Sequence, residues 1–219
     1  LLKRSNFELS KLEDVVIDAN ALTSIDASTQ NPVPVIYQSG YLTIKDYDAE
    51  FRLYHLGYPN KEVEDGFVEF LLPFYTNRVN QGNSSFEISQ FVKEVRNGDY
   101  GAFFQRLQSF FADIPYEQTK ELELHYQNVL FILFRLIGFY TKVEYHTSQG
   151  RIDLMLQTDK YIYIMEFKLD GSAEEALKQI NEKNYTIPFN IDKRTIIKVG
   201  VNFSKETKTI EKWLVEYDQ

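Results

Sequence analysis

Asp153, Glu166 and Lys168 are the residues whose types and spacing could do chemistry together. Two carboxylates can hold a divalent cation, and a lysine beside them can stabilise developing negative charge. The stretches Ile152–Gln157 and Tyr161–Lys168 read as consecutive β-strands joined at Asp159-Lys160. With a two-residue turn there, Thr158 pairs with Tyr161, which sets Met155 opposite Ile164, Asp153 opposite Glu166 and Arg151 opposite Lys168. Directly opposed residues hold their Cβ atoms ~5 Å apart, close enough for both carboxylates to grip one Mg²⁺ or Mn²⁺. Asp-Lys is a poorer tight turn than Asp-Gly. A slip of one residue would send Asp153 to the other face, whereas a slip of two would keep the shared face.

Such a group suits hydrolysis of a phosphodiester. The cation would polarise the phosphoryl oxygen and lower the pKa of a bound water, while Lys168 oriented that water or stabilised the transition state. The competing reading is a surface hairpin carrying an ordinary ion-paired cluster of Asp153, Glu166, Arg151 and Lys168.

The elements that must position these residues follow from periodicity. Residues 117–138 read as a long helix, apolar almost all round beyond Val129 and so expected to be buried. Val143–His146 precedes the two strands as a third. Ser172 and Glu175 have capping-box spacing and open a helix to about Asn184. Thr195–Asn202 is a further strand. A last helix is expected after Ser204, with Ile210, Trp213, Leu214 and Tyr217 on one face. Lys205, Lys208 and Lys212 would form a stripe along it, read as a solvated face in preference to a phosphate contact.

Upstream, Phe7–Ala21 has helical spacing, Tyr41–Ile44 and Phe51–Tyr54 read as a hairpin, and Asn60 is placed to cap a helix through Phe74. Together they suggest a mainly helical, winged-helix-like region over 1–82. Gly82-Asn83-Ser84-Ser85 is the expected linker. Two bracing helices, Phe86–Val95 and Tyr100–Phe111, fill 83–116 before the domain at 117–219.

Composition bounds the function classes. The 219 residues are 43% hydrophobic and 15% aromatic, enough for a core without disulfides. Zero cysteines excludes zinc ribbons and thiol chemistry and is compatible with a cytoplasmic location. The apolar run Val129–Tyr140 is too short to span a bilayer, so no membrane partner is expected. His55, His125 and His146 lack zinc-site spacing. The opening Leu-Leu-Lys-Arg, without an initiator Met or a secretory pattern, reads as the start of a fragment of something longer. Net charge is −8, which argues against a protein that holds nucleic acid mainly by neutralising phosphates. The acidity sits mostly in the first half: residues 1–116 carry 10 basic and 16 acidic side chains, residues 117–219 carry 14 and 16.

Gly150-Arg151-Ile152-Asp153, then Glu166-Phe167-Lys168, then Ala176-Leu177-Lys178-Gln179-Ile180, resembles the PD-(D/E)XK nuclease superfamily. Glu123-Leu-His-Tyr-Gln127 and Val199-Gly-Val-Asn-Phe203 narrow the resemblance to the nuclease-like domain at the C-terminus of bacterial AAA-ATPase-like proteins. The resemblance implies an α/β, restriction-endonuclease-like αβββαβ core with a mixed sheet. It implies that Asp153 and Glu166 ligate the metal, that Lys168 is the catalytic lysine, that Glu123 completes the metal site from its helix, and that Gln179 joins from the following helix. Glu121 competes with Glu123, and either could be a first-turn acid favoured by the helix dipole. Glu123, Gln127, Leu130 and Phe134 share one helical face, expected to look toward the sheet. The chain lacks G-x-x-x-x-G-K-[ST], so an ATPase module would be a partner elsewhere in the full-length protein.

Three functions compete. The first is a Mg²⁺- or Mn²⁺-dependent nuclease, with DNA favoured over RNA. The second is an inactive nuclease-fold module that regulates or binds nucleic acid beside an ATPase. The third is a protein-interaction unit built on the N-terminal region.

Overall fold

The computed structural model describes residues 2, 7–24, 31–76, 81–112, 122–138, 140–148 and 151–218. The chain divides into two compact units, Leu1–Leu71 and Leu72–Gln219.

The first unit holds a three-stranded antiparallel sheet in the order β1 (Val15–Asp18), β3 (Leu53–Gly57), β2 (Thr43–Asp48). Two short helices, α1 (Ala19–Thr23) and α2 (Val33–Gln38), lie between β1 and β2 in the chain. The helix expected over Phe7–Ala21 is replaced by a 3-10 turn at Leu9–Glu13, then β1 and α1. Val15 and Ile17 are buried and Val16 is exposed, so pairing with β3 selects the two-residue period over the helical one. Asp18 ends the strand by accepting from the Asn20 and Ala21 amides at 2.8 and 2.9 Å, which caps α1. The hairpin of β2 and β3 forms, but each strand begins two residues later than expected and β2 runs through Lys45–Asp48, a stretch expected as loop. Asn60 caps α3 (Lys61–Tyr75) by accepting from the Val63 amide at 2.9 Å.

The second unit begins with α4 (Gln81–Asn97) and α5 (Tyr100–Ala112). Gly82–Ser85, read as a linker, forms the opening turns of α4, since small polar residues are tolerated where the first amides need no helical partner. Then come α6 (Leu122–Gly138), β4 (Lys142–Ser148), β5 (Arg151–Gln157), β6 (Tyr161–Leu169), α7 (Ala173–Glu182), a 3-10 turn at Ile187–Phe189, β7 (Thr195–Ser204) and β8 (Thr209–Asp218). The strands form one sheet in the order β4-β5-β6-β7-β8, antiparallel except for the parallel pair β6 and β7. This is a mixed α/β architecture with the αβββαβ core order, and residues 117–121 lie outside the described residues.

The expected last helix is instead β8. Ser204 does accept from the Thr207 amide at 3.2 Å, but it caps a hairpin turn that closes at Lys208 with φ +57°. The β-branched and aromatic run Thr209–Tyr217 then pairs with β7, which would otherwise be an apolar strand with an open edge. The lysine stripe dissolves with the helix: Lys205 pairs with Asp170, and Lys212 with Glu174.

Each face of the sheet is covered. Val129–Phe134 of α6 is buried throughout, Phe134 meets Phe167 edge-on at 6.2 Å, and the Tyr163 hydroxyl donates to the Val95 carbonyl. Burial raises the pKa of that phenol well above its ordinary range. On the other face Ile162, Ile164 and Ile196 pack with Ile180 of α7. Gly200 lets α7 sit directly on β7, because an added Cβ there would stand 2.2 Å from the Ala173 carbonyl oxygen.

Candidate active site

The turn between β5 and β6 decides the geometry. Thr158 and Tyr161 close it, with the Thr158 amide donating to the Tyr161 carbonyl at 2.8 Å. The Thr158 hydroxyl accepts from the Tyr161 and Lys160 amides, bracing an Asp-Lys pair that is not an intrinsically strong turn. The resulting register sets Arg151 opposite Lys168, Asp153 opposite Glu166 and Met155 opposite Ile164. No slip occurs. On β4 the register partner of Asp153 is His146, so three residues of ligand type stand in a row across β4, β5 and β6.

Glu166 lies at 0% exposure. Burying a carboxylate is costly unless charge and hydrogen bonds surround it. Lys168, two residues on and on the same face, brings its Nζ to 3.0 Å from Glu166 Oε1 and donates to Gln179 Oε1 at 2.5 Å. Gln179 reaches that position because Ser172 caps α7, accepting from the Glu175 amide at 3.1 Å, and because Gly200 lets the helix close on the sheet. The other amide atom of Gln179, Nε2, is buried and has no hydrogen-bond partner among the described residues.

Glu123 lines a small open cleft together with Tyr126, Gln127, Leu130, Lys168 and Phe203. Its helical face does look toward the sheet, through the Phe134–Phe167 contact. The structure therefore groups Glu166, Lys168 and Gln179 in direct contact, sets Glu123 on the cleft that Lys168 also lines, and aligns Asp153 by register. Glu121 lies outside the described residues.

Among the described residues no three His, Asp or Glu side chains converge as a closed metal cage. The residue types suit a hard divalent cation nonetheless, because such an ion can be held by one or two carboxylates with phosphate oxygens and water completing its shell. A hard, fully buried carboxylate facing a second acid position on the neighbouring strand is such a donor set.

Gly171 and Glu211 were not singled out in the sequence, and Gly200 and Asn202 stood there only as members of the Val199–Phe203 motif, with no role of their own. A Cβ on Gly171 would stand 3.0 Å from Lys168 Cβ, so the bare backbone gives that lysine its room. Asn202 is a polar residue at 6% exposure in a strand that also buries Lys198 and Ser204, and a polar residue within a mostly apolar run was the available signal.

Residues 121–213 match the family model described as the PD-(D/E)XK nuclease superfamily. Similarity extends further: a relative described as an uncharacterized protein in the vnfD 5′ region of Azotobacter chroococcum mcd 1 is 27% identical over 94% of this chain. The chain spans 41% of that relative's length.

Proposed function

We propose that the second unit is a Mg²⁺- or Mn²⁺-dependent nuclease acting on DNA, with Asp153, Glu166 and Glu123 as metal ligands and Lys168 and Gln179 beside the reacting phosphate. The observation that carries this reading is the pairing of Asp153 with Glu166 at the position where Lys168 meets both Glu166 and Gln179. When bound, a divalent cation supplies Lewis acidity toward a phosphodiester. Lys168 stabilises the negative charge that develops on the phosphate, and it is held for that task by Glu166 on one side and Gln179 on the other. Gln179 Nε2 keeps donor capacity that no partner among the described residues uses. Glu123 brings a further carboxylate to the cleft.

The test combines Mn²⁺ titration calorimetry with plasmid cleavage. Wild-type protein should bind the ion and cut only when it is present, and Asp153→Ala and Glu166→Gln should lose both. Unchanged binding and cleavage in Asp153→Ala would remove the site.

A second reading is favoured by the net charge of −8: a nuclease-fold module that binds nucleic acid without turnover and regulates an ATPase. It predicts DNA retention with no cleavage at any metal concentration. In both readings an ATPase-like module of the full-length protein is the partner, in the cytoplasm. Among the described residues no helix is long and apolar enough to cross a membrane.

A further inference from the structure

The hairpin of β7 and β8 contains an irregularity beside the site. Asn202 pairs with Lys212 and Phe203 with Ile210, so Glu211 is an extra residue in β8. Bulges twist a strand locally and re-aim side chains, and they concentrate next to functional sites. Here the extra residue brings the Glu211 carboxylate to Asn202, whose Nδ2 donates to Glu211 Oε2 at 3.0 Å. Asn202 Oδ1 accepts from the Gly171 amide at 3.1 Å. Both ends of the buried carboxamide are therefore engaged.

Asn202 is also the parallel-strand partner of Lys168. The segment it holds, Asp170-Gly171-Ser172, leaves β6 immediately after Lys168 and caps the helix that carries Gln179. Asp170 has φ +51° and donates its amide to the Phe203 carbonyl, so the turn is bent back onto β7 against local preference. Gly171 packs against the Lys168 stem. A shift of this turn moves Lys168 and the start of α7 together.

We infer that Asn202, braced by the bulged Glu211, is a positioning residue that sets the Lys168–Gln179 pair through the Asp170–Ser172 turn. The inference rests on the reading of Lys168 as the site lysine. It also gives the bulge a purpose: a regular β8 would leave Asn202 Nδ2 buried without this acceptor.

The experiment uses the full 219-residue chain. A lysine-selective NMR spectrum reports buried, hydrogen-bonded ammonium groups, and Lys168→Arg identifies the Lys168 signal by removing it. Asn202→Asp keeps an acceptor for the Gly171 amide but sets two carboxylates against each other. It should abolish the Lys168 signal and lower kcat for DNA cleavage roughly 10-fold to 100-fold, with KM within about twofold. Adding Glu211→Gln restores a donor to the pair with the roles exchanged, and the N202D/E211Q protein should regain both the signal and the rate. Glu211→Ala changes an exposed side chain and leaves the core intact, so it keeps the test open if Asn202→Asp fails to fold. It should weaken the Lys168 signal. Loss of the signal in Asn202→Asp without recovery in the double variant, or an unchanged signal in Glu211→Ala, overturns the inference. Absence of DNA cleavage in the wild type would count against the nuclease reading alone, because the NMR signal reports on Asn202 independently.

Discussion

Two charged clusters stand at opposite ends of the β6–β7 pair, roughly 20 Å apart by strand rise. At the Tyr161 end, Arg194 donates to both oxygens of Asp192, to the Thr158 carbonyl and to Gln157 Oε1. Its planar fork is matched, and the Arg194 guanidinium holds the Asp192 carboxyl down at about 2. At the Lys168 end, Glu166 is fully buried, the single lysine ammonium is shared between Glu166 and Gln179, and Gln179 Nε2 has no partner among the described residues. The first cluster is complete and faces solvent, so it behaves as a clasp for the loop entering β7. The second leaves Gln179 Nε2 without a partner among the described residues, and it is the cluster we propose as the site.

The contrast can be broken in several ways. Lys168→Ala should reduce DNA cleavage by ~10²–10³-fold in single-turnover assays and also lower the thermal midpoint, because it leaves the buried Glu166 carboxylate without its cation. A loss below about threefold would put Lys168 in the same structural class as Arg194. Gly200→Ala should come next, destabilising the second unit by about 1–3 kcal/mol in urea titrations, because α7 must lift off β7. It should also impair cleavage by separating Gln179 from Lys168, with the Arg194 cluster intact. Ser172→Ala should cost about 1 kcal/mol by the same measurement, through the lost N-cap of α7.

The smallest effect belongs to Asp192→Asn. Its carboxyl pKa is depressed in the folded state, so its contribution to stability is present above the ordinary value near ~4 and is lost as pH falls toward about 2. Wild type and variant should differ by a small constant amount at neutral pH and converge in acid. Cleavage at pH 7 should be equal in both. A difference that persisted at pH 2 would show that Asp192 acts by something other than its charge.

Legibility followed the range of the deciding forces. The Asp153–Glu166 pairing was readable because one tight turn and a strict two-residue alternation propagate a register over the whole hairpin. The cap at Ser172 and the buried α6 were readable because side-chain capping and hydrophobic patterning act within a few residues. The C-terminal segment was not. Ile210, Trp213, Leu214 and Tyr217 satisfy a helical period, and only the open edge of β7 makes the extended form win. Phe7–Ala21 failed likewise, because β1 exists only through β3, nearly forty residues away.

Residue types and alternation alone therefore set Asp153 opposite Glu166 on adjacent strands. Local turn chemistry and alternation suffice for that. The tertiary structure alone decided that His146 joins the row of Asp153 and Glu166, that Gln179 reaches Lys168 across Gly200, and that a bulge turns Glu211 toward Asn202. Each of these depends on elements distant in the chain being packed against one another, and no local pattern encodes such an encounter.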